Sequence, residues 1–263
     1  MFDTHIHLDL YELEERNRIV EAAIGSGIEG MVSVSMGMES CLTNRELVLR
    51  HNGRIMPAYG HHPEQSPLDE EALLVLCNWI RERGEEQESF AIGEVGLPYY
   101  LRSEAENKGH SFDLSFYLRQ LEGFIQLAAE LHRPIVLHAV YEDAETVLDL
   151  LERYSIRKAH FHWFKGSAST AARLISDGYY ISVTPDVLYE PEIRELAAVF
   201  PLNRLMVETD GPWPFEGPFT GKQTEPGMVR DVIREISLLR GLDEEKVAEA
   251  VNDNSRNFYG WNC

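Results

Sequence analysis

The sequence is poor in cysteine and contains no long apolar run. Its three cysteines, Cys41, Cys77 and Cys263, are far apart, and none has a partner at metal-ligand spacing. This favours reduced thiols in a cytosolic protein over a disulfide framework. No stretch reaches the roughly 18 apolar residues of a membrane span, and Met1-Phe2-Asp3 does not open a signal peptide. We therefore expect a cytoplasmic protein that makes no membrane contact.

Basic residues are also scarce. The chain has 24 Lys and Arg against 44 Asp and Glu, which gives a formal net charge of -20. Such a charge repels polyanions and argues against broad, charge-driven binding of nucleic acid, although a local phosphate site stays compatible with it. Bound cations can neutralise some of these carboxylates, since a metal ion is often the largest charge in its own site.

The length permits two ordinary domains or one α/β barrel. Eight short apolar stretches alternate with helical patterns, without a linker, an internal repeat or a break in composition. The pattern predicts one domain over residues 1–263 with the α/β fold of a (β/α)8 TIM barrel. The predicted strands are Phe2–Leu8, Gly30–Val34, Arg54–Tyr59, Phe90–Gly96, Pro134–His138, Ala159–His162, Tyr179–Val183 and Arg204–Asp210. A doubly wound open sheet is the alternative, but no Gly-rich dinucleotide loop follows the first strand.

Two of the connecting segments are informative. From Leu114 to Leu131 apolar residues recur at helical spacing, which predicts an amphipathic helix that packs on the core. The segment from Arg102 to Ser111 is polar and highly charged, and we expect it to be a mobile loop.

The first predicted strand contains a His-x-His pattern, formed by His5 and His7. On an extended strand, residues at i and i+2 project from the same face, so both imidazoles can hold one metal ion. With ten histidines in the chain, one such pair also arises by chance.

Further candidates lie at the ends of other strands, where barrel enzymes place their active sites. The groups that can bind a metal or move a proton there are His5, His7, His62, Glu94, His138, His162 and Asp210. Each has a structural alternative: His138 as a core histidine, Glu94 as the partner of a base, and Asp210 as the cap of the turn before Pro212. Seven such residues at one end of a barrel favour a metal site.

The ordered set of motifs resembles the TatD family of metal-dependent hydrolases, within the amidohydrolase superfamily. The resemblance covers almost the whole chain and rests on Asp3-Thr4-His5-Ile6-His7-Leu8-Asp9, Gly60-His61-His62-Pro63, Gly93-Glu94-Val95-Gly96-Leu97, Pro134 to His138, His162-Trp163-Phe164-Lys165-Gly166, Glu208-Thr209-Asp210 and Asn254-Ser255-Arg256-Asn257-Phe258.

This resemblance implies a barrel of the metallo-dependent hydrolase type with two divalent metal ions. The implied ligands of the first ion are His5, His7, Glu94 and Asp210, and Glu94 would bridge to a second ion held by His138 and His162. Imidazole and carboxylate ligands suit Zn²⁺ or Mn²⁺, and Mg²⁺ less well, so they do not determine the metal. The implied catalytic residues are Asp210, Glu94, His62 and Glu208, with Asp210 as proton acceptor and with His62 and Glu208 supporting the ligands or the substrate.

The implied reaction is hydrolysis of phosphodiester bonds in DNA by a metal-activated water, as in a TatD-type deoxyribonuclease. Arg102, Lys165 and Lys222 lie in predicted loops on the same face and are candidate contacts to the substrate phosphate. Because acidic residues share these loops, ordinary solvated surface charges are the alternative.

Three departures from the family pattern affect the substrate side and spare the ligands. Leu97-Pro98 replaces Leu-Asp, His138-Ala139-Val140 lacks the usual arginine, and Trp163 and Lys165 replace a cysteine and a serine. Hydrolase chemistry is therefore better supported than the nuclease activity. One rival is an amidohydrolase, esterase or phosphoesterase that acts on a small molecule. The other is a non-catalytic metal-binding barrel, which the retention of Asp210 disfavours. The sequence makes no prediction of oligomeric state.

Overall fold

The computed structural model describes residues 1–51 and 53–261. Its strands β1 to β8 are Phe2–Ile6, Gly30–Val34, Ile55–Tyr59, Ala91–Gly96, Ile135–His138, Ala159–Phe161, Tyr180–Val183 and Leu205–Val207. Helices α1 to α10 are Leu13–Gly25, Met38–Arg50, Glu70–Glu85, Tyr99–Asn107, Ser115–Leu131, Asp143–Arg153, Ala168–Asp177, Pro191–Val199, Val229–Arg240 and Glu244–Tyr259. In the described part of the chain, no helix is both long and apolar enough to cross a membrane.

The strands form one parallel sheet in the order β1 to β8, which confirms the predicted (β/α)8 barrel. Backbone hydrogen bonds close the ring beyond the strand ends. The amide of Asp210 donates to the carbonyl of His5 at 2.9 Å, and the amide of His7 donates to the carbonyl of Gly211 at 2.7 Å. The chain that follows β8 is thereby held beside His5 on β1 and His7 just after it.

An apolar cluster fills the interior of the barrel. Its buried side chains come from β2, β3, β4, β5 and β8 and from the last helix: Val32, Val34, Met56, Ala58, Ala91, Val136, Met206, Phe258 and Tyr259. Side chains from strands on opposite sides of a barrel can meet only in its interior. We call this set the apolar interior.

A second apolar layer lies between the strands and the helices. Helix α5 shows why, since its Leu121, Phe124 and Ile125 are buried and lie at helical spacing. This confirms the amphipathic helix predicted from Leu114 to Leu131, with its start one residue later.

The prediction of a loop from Arg102 to Ser111 was wrong for most of that segment, because α4 covers Tyr99–Asn107. The helix contains no buried residue, so it has no apolar stripe for a periodicity argument to detect. Local contacts stabilise it instead. Lys108 pairs with Glu104 four residues earlier, and the carboxylate of Glu64 accepts hydrogen bonds from two amides of its first turn.

Candidate metal centre

His5 on β1 and His7 just after it point at one carboxylate in the barrel mouth. His5 Nε2 lies 3.0 Å from Glu94 Oε2, and His7 Nε2 lies 3.4 Å from the same oxygen. Asp210 Oδ1 lies 3.4 Å from His5 Nε2 and 3.5 Å from His7 Nε2. All four side chains are buried, with exposed fractions of 3% or less. The predicted ligands of the first ion therefore converge on one point.

These four atoms share a second property: none of them has a hydrogen-bond partner. A buried polar atom without a partner costs about 1–3 kcal/mol. Imidazole nitrogens and carboxylate oxygens are also ligands for Zn²⁺ and Mn²⁺. The residues present therefore fit a divalent cation, whose binding would satisfy all four atoms at once.

The other oxygen of Glu94 faces a second group. Glu94 Oε1 lies 2.9 Å from His138 Nδ1 and 2.7 Å from His162 Nε2, with His62 Nε2 at 3.4 Å. The geometry allows His5, His7 and Asp210 to hold one ion and Glu94, His138 and His162 to hold another. This is the arrangement that a bridging carboxylate requires, and the bridging role of Glu94 stays a prediction.

Strand β4, which carries Glu94, needs glycine at positions 93 and 96. A Cβ atom on Gly96 would collide with the backbone carbonyl of His138 on β5, and one on Gly93 would lie 2.8 Å from Val136 Cβ. The glycines on both sides of the acid thus let β4 approach β5 closely enough to bring Glu94 and His138 together.

Close packing of imidazoles and carboxylates shifts the pKa values of the site. Burial alone would raise the pKa of Glu94, but His162, His62 and His5 lower that pKa well below its usual value. Burial would lower the pKa of His7, but the Asp210 and Glu94 carboxylates outweigh it and raise the pKa to about 10. Protons on imidazole thus balance the carboxylate charge, and binding of a cation would release them.

Glu208 supports His162 from behind. Its Oε1 lies 3.5 Å from His162 Nδ1 and accepts a hydrogen bond from the amide of Trp163 at 2.7 Å. Its Oε2 accepts one from Ser182 Oγ at 2.5 Å. An acceptor at Nδ1 favours the imidazole tautomer that leaves Nε2 free to bind a metal. The supporting role of Glu208 stays a prediction, and its position behind His162 is compatible with that role.

A cavity of about 480 Å³ opens directly above these groups. It is lined by His62, Glu64, Tyr100, His138, Val140, His162, Trp163, Asp210 and Trp213. Val140 stands where the family pattern has an arginine, and the aromatic rings make most of the wall apolar. Tyr100 and Trp213 are 48% and 43% exposed, so a ligand can reach both rings.

None of the three predicted phosphate-contacting residues is among the described residues that line this cavity. Arg102 is held by Asp143 at 2.7 Å and by Glu142 at 2.9 Å. The ammonium of Lys165 lies 4.7 Å from the centre of the Trp163 ring and 3.9 Å from an oxygen of Asp186. Lys222 Nζ lies 5.7 Å from the Phe219 ring centre. Their contact with substrate stays a prediction.

Sequence reasoning missed three residues of the cavity, namely Glu64, Tyr100 and Trp213. Glu64 stands two positions after His62, so proximity in the sequence was an available signal. Tyr100 and Trp213 had no such signal, because an aromatic residue near a turn is more often part of the core.

A (β/α)8 barrel with converging imidazole and carboxylate groups at its mouth defines the class of metal-dependent hydrolases. The family model described as TatD related DNase matches residues 2–260. The chain is 35% identical to an uncharacterized metal-dependent hydrolase of Haemophilus influenzae over 259 residues, which cover 98% of this chain and 99% of the relative. This protein therefore belongs to the TatD-related DNase family.

Two further comparisons are informative. The 3'-5' ssDNA/RNA exonuclease TatD of Salmonella typhimurium is 28% identical over 274 residues, with 98% of each chain covered. The crystal structure of YJJV, a TatD homologue from Escherichia coli K12, superimposes with a TM-score of 0.84 at 22% identity and covers 99% of this chain and 98% of its own. That structure shows the same fold.

Proposed function

We propose that this hydrolase is a deoxyribonuclease that cleaves phosphodiester bonds with the help of two divalent ions. The observation that carries the proposal is the position of Glu94, whose two oxygens face two separate groups of potential ligands. The relative from Salmonella typhimurium, named as an ssDNA/RNA exonuclease, supports a nucleic acid substrate. When bound, such ions stabilise the charge on a phosphate and make water more acidic.

The residues around the ligands have distinct roles in this proposal. Asp210 lines the cavity beside the ligand histidines, so its carboxylate can take the proton of the attacking water. His62 Nδ1 accepts a hydrogen bond from the amide of Glu64 at 3.1 Å. The proton of a neutral His62 therefore sits on Nε2, which lies 3.4 Å from Glu94 Oε1 in a residue that lines the cavity, so it can donate to Glu94 or to a substrate oxygen.

The aromatic wall suits an unpaired strand better than a duplex. Tyr100 and Trp213 line the cavity with large exposed fractions, and flat rings of this kind stack on unpaired bases. The net charge of -20 repels a long polyanion, so binding would have to come from local stacking and from the proposed ions.

One observation favours a second candidate, a hydrolase of small esters or amides. Among the described residues that line the cavity there is no arginine or lysine. Val140 is apolar at the position where the family pattern has an arginine. A neutral ester or amide would fit these walls without a cationic partner.

The test is nucleotide release from single-stranded and duplex DNA by the metal-loaded protein, beside a panel of small esters and amides. We expect metal-dependent cleavage, faster on single strands, that is lost in Asp210→Asn. The metal content of the variant is measured alongside, so that a lost ion is distinguished from a lost proton acceptor. Intact DNA together with a hydrolysed ester or amide would overturn the nuclease proposal in favour of the second candidate.

A further inference from the structure

Glu64 occupies a position behind His138 that matches the position of Glu208 behind His162. His138 directs Nδ1 at Glu94 Oε1, at 2.9 Å, and Nε2 at Glu64 Oε1, at 3.3 Å. His162 directs Nε2 at Glu94 and Nδ1 at Glu208. Each of these two imidazoles therefore lies between the carboxylate of Glu94 and a second carboxylate, that of Glu64 for His138 and that of Glu208 for His162.

The carboxylate of Glu64 is itself held in place. Its Oε1 accepts a hydrogen bond from the amide of Tyr100, and its Oε2 accepts one from the amide of Leu101, both at 2.8 Å. These amides belong to the first turn of α4, where no carbonyl of the helix can satisfy them. One side chain thus joins a potential metal ligand to the helix that carries Tyr100, which forms part of the cavity wall.

The chemistry of imidazole gives this contact a consequence. A histidine that binds a metal through Nδ1 carries its proton on Nε2, and an acceptor at Nε2 fixes both the tautomer and the orientation of the ring. Apart from its approach to Glu64, His138 Nε2 is buried without a hydrogen-bond partner.

We propose that Glu64 is a positioning residue for the second metal ion, which orients His138 and at the same time fixes α4 as a wall of the substrate cavity. This inference rests on the proposed role of His138 as a metal ligand. It predicts that the metal affinity of the second site depends on Glu64, whereas the affinity of the first site, formed with His5 and His7, does not.

The experiment measures the affinity of both sites for Zn²⁺ by competition with a chromogenic chelator, in the wild-type chain, Glu64→Ala and Glu64→Gln. We expect the alanine variant to bind the second ion 10- to 100-fold more weakly, the usual effect of losing such a partner, with the first site unchanged. Glutamine keeps one acceptor oxygen but turns an NH₂ group toward an amide donor, so we expect an intermediate loss.

A matched control separates the orientation of His138 from the anchoring of α4. Arg102→Gln removes the ion pairs of α4 with Asp143 and Glu142 but leaves Glu64 in place, and we expect both affinities to stay unchanged. Affinities within about twofold of wild type in Glu64→Ala, or equal losses at both sites, would overturn the inference. His138→Ala checks the ligand assignment separately, because it should lose the second ion. If it keeps that ion, the proposed ligand set is wrong, whatever the result for Glu64→Ala.

Discussion

The interior of this barrel has two regions of opposite character. The apolar interior consists of well-packed side chains such as Val136 and Met206. The mouth contains buried imidazoles and carboxylates, several of whose polar atoms have no hydrogen-bond partner. On β5 the two regions are adjacent: Val136 belongs to the apolar interior, and His138, two residues later on the same face of the strand, belongs to the mouth.

This difference shows that the two regions are stabilised in different ways. Packing of the apolar interior contributes to stability directly, through removal of apolar surface from water. The mouth costs stability in the absence of a ligand, because each unsatisfied buried group carries a desolvation penalty. Substitutions in the two regions should therefore have different effects on stability and on metal content.

The largest effect is expected at the residue shared by both ligand groups. Glu94→Ala removes the carboxylate between the two clusters, so both ions should be lost and activity should fall at least about 10³-fold, or about 4 kcal/mol. Metal content after dialysis and initial rates measure this. The control Glu104→Ala, on the exposed side of α4, should leave both unchanged. Two ions retained in Glu94→Ala would contradict the bridging assignment.

The opposite result is expected in the apolar interior. Met206→Ala leaves a cavity at a fully buried position and should lower the free energy of unfolding by about 2–5 kcal/mol. Denaturant titration measures the loss, while metal content should stay at the wild-type value. Leu238→Ala, at a side chain that is 68% exposed, should change stability by less than about 0.5 kcal/mol. Loss of metal from folded Met206→Ala would show that the apolar interior and the mouth are not independent.

Removal of metal should destabilise the protein through the mouth alone. Chelation should lower the free energy of unfolding by about 2.7 kcal/mol for each ion removed, relative to protein with free metal at 100 times the dissociation constant. Thermal unfolding with and without metal measures this. Met206→Ala should keep the full increment, since the sites are independent, and Glu94→Ala should show none. An increment that survives in Glu94→Ala would place the stabilising ion elsewhere.

The smallest effect concerns an ion pair outside the site. Glu88, just before β4, accepts hydrogen bonds from Arg45 Nε at 2.9 Å and Nη2 at 2.6 Å. Burial raises the pKa of Glu88, but Arg45 outweighs it and lowers the pKa below the usual 4.5. Its stabilisation is therefore fully present above about pH 4.5 and is lost as the pH falls through the lowered pKa of the folded state.

We expect Glu88→Gln to be about 0.5–1 kcal/mol less stable than wild type at neutral pH, with the difference disappearing in acid. Denaturant titrations across the acid range measure it. Glu86→Gln, at a more exposed partner of Arg45, should show a smaller difference. A gap between Glu88→Gln and wild type that is independent of pH would contradict an electrostatic origin.

Sequence reasoning reached the barrel and the set of converging residues for a simple reason. Parallel strands all end at the same side of a barrel, so residues at those ends become neighbours without any knowledge of side-chain packing. His5, Glu94 and His162 are close in the structure because His5 and Glu94 lie in the C-terminal halves of their strands and His162 comes just after its own. The predicted loop failed because α4 is stabilised by Glu64 and by an exposed ion pair, and neither produces an apolar pattern.

The architecture could be predicted from the sequence alone, because it follows from periodicities of two and 3.6 residues. The direction of the parallel strands then brought the candidate metal-binding residues to one end of the barrel. The groups behind those candidate residues and the residues around the cavity became visible only in the folded chain. Glu64 meets Tyr100 and His138 across 36 and 74 positions of the chain, and Arg102 is drawn to Asp143 and away from the cavity. Such contacts depend on how loops and helices pack over the barrel, and packing over long separations leaves no local signal in a sequence.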